Sequence, residues 1–206
     1  VVEGGVFAAF LVDLAVGRSI PGCELLDMRH YRRTLDDWAE HIRRETDRHL
    51  YRFHEKPADY KNSLAYFNAL AMVTVVVQDF EVGYHVESIA FDDPHDLFVH
   101  GVIDRRRGTC VSLPVLYMAL GHRLGYPIRA VSLPKHLFCR WEGAATLDTT
   151  RGFAALGREC VGVESRATGE RFNIEAANAG GLADYPDEHY LTWLTKLDPR
   201  DVETGS

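Results

Sequence analysis

Cysteine is scarce: the 206-residue chain has four, at positions 23, 110, 139 and 160, with no CxxC pair and no dense framework. That spacing argues against a disulfide scaffold and a structural zinc site, and it fits a reducing compartment. No Gly-rich loop of the P-loop or dinucleotide type occurs, so no nucleotide cofactor is expected, and no His, Cys, Asp or Glu spacing matches a ligand motif, so no metal is expected either. Basic charge is in deficit, with 23 Lys and Arg against 30 Asp and Glu and a formal net charge of -7. No global field draws nucleic acid or an anionic membrane, and no aromatic residues interleave with a basic stripe, so neither partner is expected. Long apolar runs are missing too. The longest early one, Val6 to Val16, is interrupted by Asp13 and falls far short of a membrane span. It also lacks the basic flank of a signal peptide. The expected location is cytoplasmic, with targeting upstream of Val1 left open, and the oligomeric state is not legible.

What the chain does have is apolar residues, 46% of the total, enough for one sizeable core. The expected organisation is an N-terminal helical segment over residues 1–60 and a core over 61–206, together one compact unit. Glu24 to His54 is charged but periodic, with Leu35, Trp38, Ala39, Ile42 and Leu50 on one face, and reads as a solvated helix pair broken near Lys56 and Pro57. Ser63 to Gln78 is apolar on nearly every face and reads as a central buried helix. Asp92 to Pro94 and Gly101 read as turns.

Pro114 is tolerated only within the first turn of a helix, where amides have no intrahelical partner, so a helix is expected to begin close to Cys110. Thr109 or Ser112 can cap it, and Gly125 followed by Pro127 ends it. "IRAVSL" (128–133), "HLFCRW" (136–141) and "RFNIEA" (171–176) read as strands, and residues 143–170 as a long loop or hairpin. Helices, then a cysteine-bearing helix, then antiparallel strands make an α+β pattern.

A thiol at a helix N-terminus meets the positive end of the macrodipole and unpaired amides, which favour thiolate, and an amide of the same turn can hold an oxyanion. A cysteine in an apolar run is otherwise most often a buried hydrophobe. His136, opening a strand, is the candidate general base and acid toward Cys110, with a structural histidine as the alternative. The third residue of such a set fixes the imidazole tautomer. Glu175 and Asn173 lie on the same strand face by alternation, and either fits that place, a solvent-facing carboxylate being the plain alternative for Glu175. Cys139 and Trp141 alternate to the face opposite His136, which makes Cys139 a core residue.

The stretch "GTCVSLPVLYMALGHRLGYPIRAVSLPKHLFCRW" followed by "FNIEAANAGG" resembles the bacterial transglutaminase-like proteins, from about Asp79 to Tyr190. "LLDMRHYRRTLDDWAEHI" resembles the helical segment that precedes the core in the regulator-type branch. The resemblance implies a papain-like core, with the nucleophile helix packed on an antiparallel sheet, and a catalytic triad of Cys110 as nucleophile, His136 as base and Glu175 as orienting acid. The wider superfamily has Asp in the third place, so Glu175 is one methylene longer and Asn173 remains its rival. Residues 143–170 are longer than the family's usual hairpin. The implied activity is acyl transfer to an amine or hydrolysis of an amide, through a thioester on a protein or peptide substrate. The alternative is a non-catalytic interaction or regulatory domain that keeps the fold.

Arg105, Arg106 and Arg107 read either as solvated charges or as cations that steer an acidic substrate toward the thiol. Asp92, Asp93, His95, Asp96 and His100 match no metal-ligand spacing and read as a polar turn. "YPDEHYLTW" reads as a terminal helix packing Tyr190 and Trp193, with no chemistry. Cys23 and Cys160 have no motif context.

Overall fold

Asp27 starts α1 (Met28–Glu55), its side chain accepting from the amides of Arg29 and His30 at 2.9 and 3.2 Å. Those amides have no partner within the helix. The computed structural model describes residues 23–85, 93–133, 136–143, 170–175 and 182–194. Where the apolar pattern suggested a helix pair, the structure has one helix of 28 residues. No Gly or Pro interrupts Met28 to Glu55, so one continuous stripe of Tyr31, Leu35, Trp38, Ala39, Ile42 and Thr46 is buried.

Lys56 ends that helix and Pro57 opens a 3₁₀ turn (Pro57–Tyr60), the break read from sequence. Ser63 caps α2 (Leu64–Gln78), its hydroxyl accepting from the Tyr66 amide at 2.9 Å. The helix buries Phe67, Ala69, Met72, Val73, Val75 and Val76. A short strand β1 (Gly83–Tyr84) pairs in parallel with β2 (Arg107–Gly108). Between them lie α3 (Pro94–Leu97), capped by Asp93, and α4 (Val99–Arg105). Gly101 is not the turn its sequence context suggested. It lies buried inside α4, where a Cβ would stand 2.0 Å from the backbone oxygen of His95. Only a glycine lets the two short helices approach so closely.

Next comes α5 (Ser112–Leu124), ending at Gly125 with φ +76°, the left-handed conformation expected of a glycine at a helix end. Then β3 (Ile128–Leu133), β4 (His136–Glu142) and β5 (Arg171–Ile174) form an antiparallel sheet in that order. The first two match the expected segments. β5 stops at Ile174, and Glu175 continues in an isolated bridge to Ala183. The last described helix is α6 (Asp187–Leu194).

Alternation gives the sheet two unlike faces. Cys139, Trp141 and Ile174 point into the core, where Leu35, Ile42, Met72, Val76, Leu116 and Leu120 have no exposed surface. α1 is thus packed into the same core as α5 and the sheet. Burying each Leu or Ile contributes about 1.5–3 kcal/mol. Cys139 donates to the backbone oxygen of Pro114 at 3.4 Å, so β4 rests on the first turn of α5. Burial pushes the Cys139 thiol well above its usual range, as befits the core residue expected there. Trp141 is also interior, between the rings of Tyr126 and Phe172. The opposite face carries His136, Phe138, Arg140 and Asn173, and α6 covers it.

The architecture is α+β, a cysteine-bearing helix on an antiparallel sheet. Among the described residues, no helix is long and apolar enough to cross a membrane. Val6 to Val16, Cys160, residues 144–169 and the side chain of Trp193 lie outside the described residues.

Candidate active site

Two residues expected as alternative caps act together ahead of α5. Thr109 Oγ1 accepts from the amides of Val111 and Ser112 at 3.2 and 3.3 Å, and the Thr109 amide donates to Ser112 Oγ at 3.0 Å. Thr109 Oγ1 also donates to the backbone oxygen of Asp96 at 2.8 Å, tying the turn to α3. The result is a reciprocal cap with Cys110 between its two members. The helix begins at Ser112 rather than at Cys110, which stands in the turn just before it. Pro114 is third in the helix, inside the first turn as its missing amide requires. The Cys110 side chain is half-buried, unlike those of Cys23 and Cys139.

His136 opens β4, and its ring meets Cys110 on one side and Glu175 on the other. The His136 Nε2 to Glu175 Oε2 distance is 2.8 Å. With Nε2 taken by the carboxylate, Nδ1 is the ring nitrogen left for the thiol. The imidazole pKa is pushed up from 6.5 to about 9, first by the hydrogen bond with Cys110, then by that with Glu175, against the opposing effect of burial. The imidazolium is therefore the favoured form at neutral pH. Both partners are shielded, with side-chain exposures of 16% for His136 and 9% for Glu175. Water screens such a pair far less than one on the surface.

A family model described as "Transglutaminase-like superfamily" matches residues 29–187. The chain belongs to the transglutaminase-like superfamily. The match takes in α1 as well as the cysteine helix and the sheet. Among curated proteins, the chain is 41% identical over 56 residues to F-box only protein 21 of Homo sapiens, covering 26% of this chain and 9% of that protein. It is 37% identical over 65 residues to a UPF0162 protein of Vibrio cholerae, covering 31% and 24%. A UPF0162 protein of Xylella fastidiosa is 30% identical over 82 residues, covering 38% and 29%. The chain thus spans less than a third of the length of each of these relatives. No solved structure matches.

Within this transglutaminase-like core, Asn173 is turned to another task than the one in which it rivalled Glu175. It pairs with Arg140 across the strands, accepting from Nε at 2.7 Å. Its amide donates to the backbone oxygen of Tyr185 at 2.7 Å and to Asp187 Oδ1 at 2.9 Å. Asn173 thereby fastens the start of α6 to the sheet. The sheet register pairs Asn173 with Arg140, whereas Glu175 stands just past the end of β5 with its carboxylate on His136, and that difference in position separates the two candidates.

Two tyrosines stand at the site that the sequence did not single out for chemistry. Tyr190, on α6, donates to Glu175 Oε2 at 3.2 Å. Tyr84 ends β1 beside the thiol turn. Burial first, and then the charges of Cys110 and Glu175, push its phenol above the usual value. Neither tyrosine has a local motif that marks it in the sequence.

Two of the three arginines are engaged elsewhere. Arg105 Nη1 bonds Asp93 Oδ2 at 2.7 Å, and the Arg106 guanidinium lies 4.7 Å from the centre of the Trp38 ring. Arg107 is exposed on β2. The acidic turn beside them is a helix cap: Asp93 Oδ1 accepts from the His95 amide at 2.9 Å, and its carboxyl is held down to about 2 by that bond and by Arg105. Asp92 lies outside the described residues.

Proposed function

We propose that this chain is a thiol enzyme that transfers or hydrolyses acyl groups at amide bonds of a protein or peptide. The observation that carries the reading is the continuous series Cys110, His136, Glu175, with the imidazole held between thiol and carboxylate and favoured as imidazolium. That is the arrangement a thiol nucleophile needs: a base in contact, oriented by a third group.

The Cys110 sulfur, as thiolate, attacks the amide carbonyl carbon, and a C–S bond forms as the carbonyl oxygen takes up charge. Val111 and Ser112 have committed their amides to Thr109, so the amide of Cys110 itself is the donor of this turn that we assign to the oxyanion. His136 passes its proton to the departing amine as the C–N bond breaks, leaving a thioester. Water or a primary amine then attacks that carbonyl, His136 takes the proton back, and the thiolate leaves. Glu175 keeps Nε2 engaged throughout, so Nδ1 stays turned to the sulfur.

The test compares wild type with Cys110→Ala on amide substrates, with and without an added primary amine. Amine-dependent incorporation identifies a transferase, and amine-independent release a hydrolase. Iodoacetamide labelling near pH 6 accompanies it, where Cys110 is expected to react far faster than Cys23 or Cys139. Labelling at an ordinary thiol's rate, with no Cys110-dependent turnover, would replace this reading with that of an interaction domain.

A further inference from the structure

Glu175 makes a contact beyond the Cys110, His136, Glu175 series. The carboxylate oxygen that meets His136, Glu175 Oε2, also accepts from the hydroxyl of Tyr190, at 3.2 Å. Tyr190 comes from α6, remote in sequence from the cysteine turn. Its ring lies flat on Phe138, with centroids 4.0 Å apart and planes 3° apart, and it faces the His136 ring at 6.2 Å and 22°. Only 5% of the residue is exposed. The helix that brings it is fixed by Asp187, which receives Arg140 at 2.6 Å, Asn173 at 2.9 Å and Arg171 at 3.1 Å.

We propose that Tyr190 is a positioning residue that holds the Glu175 carboxylate against His136, so that α6 forms part of the active machinery. This rests on the Cys110, His136, Glu175 reading and names what steadies its third member. The need for such a residue follows from side-chain length. Glu175 carries one more rotatable bond than an aspartate, and its backbone stands beyond the end of β5, held by one isolated bridge to Ala183. A carboxylate on that tether has several rotamers, and a second donor on the same oxygen selects one. At 3.2 Å against 2.8 Å, the phenol takes the smaller share of the carboxylate's charge. Losing it therefore frees the carboxylate more than it returns charge to the imidazole. Among the described residues, titratable groups facing His136 include Cys110 from the turn before α5, Glu175 from the end of β5 and Tyr190 from α6. Around them stand Tyr84 on β1 and Arg140 on β4, the latter held by Asn173 and Asp187.

Tyr190→Phe keeps the stacked ring and removes only the hydroxyl. Nitrogen NMR of the imidazole, followed against pH in the wild-type chain and in this variant, reads the result directly. The His136 midpoint is expected to fall by about half a pH unit while the melting temperature stays within a few degrees. An unmoved midpoint would make Tyr190 a packing residue, and a raised one would make it a competitor for the carboxylate's charge; either overturns the proposal. If Tyr190→Phe does not fold, Asp187→Ala leaves the hydroxyl in place and loosens its helix. That variant should move the midpoint the same way by a smaller amount, and no movement there would equally reject the proposal. Failure of amide turnover with the midpoint shift present would count against the enzyme reading alone.

Discussion

Glu175→Gln removes the charge at the far end of the cysteine, histidine and glutamate series while leaving an oxygen for Tyr190. In the wild-type chain the His136 midpoint stands at about 9 instead of 6.5, with Cys110 the larger support and Glu175 the second. Losing the second support is expected to lower the midpoint by about one pH unit, about 1.4 kcal/mol of imidazolium stabilisation. At pH 8.5 the protonated fraction then drops from roughly 75% to roughly 25%. Nitrogen NMR titration of the imidazole measures this without a substrate. Stability carries the same signature. A raised histidine pKa stabilises the fold fully below the unfolded value near 6.5, and the contribution is lost as pH rises through about 9. The variant should therefore be weaker than wild type in urea melts at pH 6 and approach it above pH 9. A midpoint that does not move would refute the role of Glu175 as a support. A fall of two units or more would show that the carboxylate, not the thiol, is the main one.

Three further outcomes follow from the packing. Asn173→Ala should destabilise the chain by about 1–3 kcal/mol, since it removes the three hydrogen bonds of a buried side chain to Arg140, Asp187 and the backbone of Tyr185. It should slow Cys110 alkylation less than tenfold, whereas His136→Ala slows it far more; equal slowing would return Asn173 to the role of orienter. Gly101→Ala forces a Cβ against the His95 backbone and should cost more than about 3 kcal/mol in denaturant melts, beyond ordinary overpacking. His100 has no exposed surface, both ring nitrogens lack a hydrogen-bond partner among the described residues, and burial lowers its pKa. The unfolded chain then binds that proton more readily, so stability should fall as pH drops below about 6.5. His100→Leu should make that acid slope shallower, and an unchanged slope would assign it to other groups.

Legibility varied with how local the cause was. β3 and β4 were readable because β-branched and aromatic residues alternate between Ile128 and Trp141, and α5 because Pro114 and Gly125 bracket it. The cap at Thr109 and Ser112 was visible as a pair of alternatives, and the fold uses both. The continuity of α1 was missed because periodicity marks a face and does not reveal that two patches share one helix. Gly101 misled because a glycine demanded by a neighbouring backbone looks, in sequence, like one demanded by a turn. Alternation put Glu175 and Asn173 on one face and could go no further. Choosing between them took the pairing of Arg140 with Asn173, a contact between strands. Tyr190 was legible as a packing residue only, because its hydroxyl finds its partner through the tertiary fold.

The anchoring of α6 also bears on where this protein can be cut. The family match ends at residue 187, the first residue of that helix. A chain shortened to the matched span would retain Cys110, His136 and Glu175 and would look complete by its motif. It would lack the phenol on Glu175 and the ring that covers Phe138. For this chain, the boundary drawn by kinship falls short of the boundary drawn by contact, and the useful unit runs at least through Tyr190.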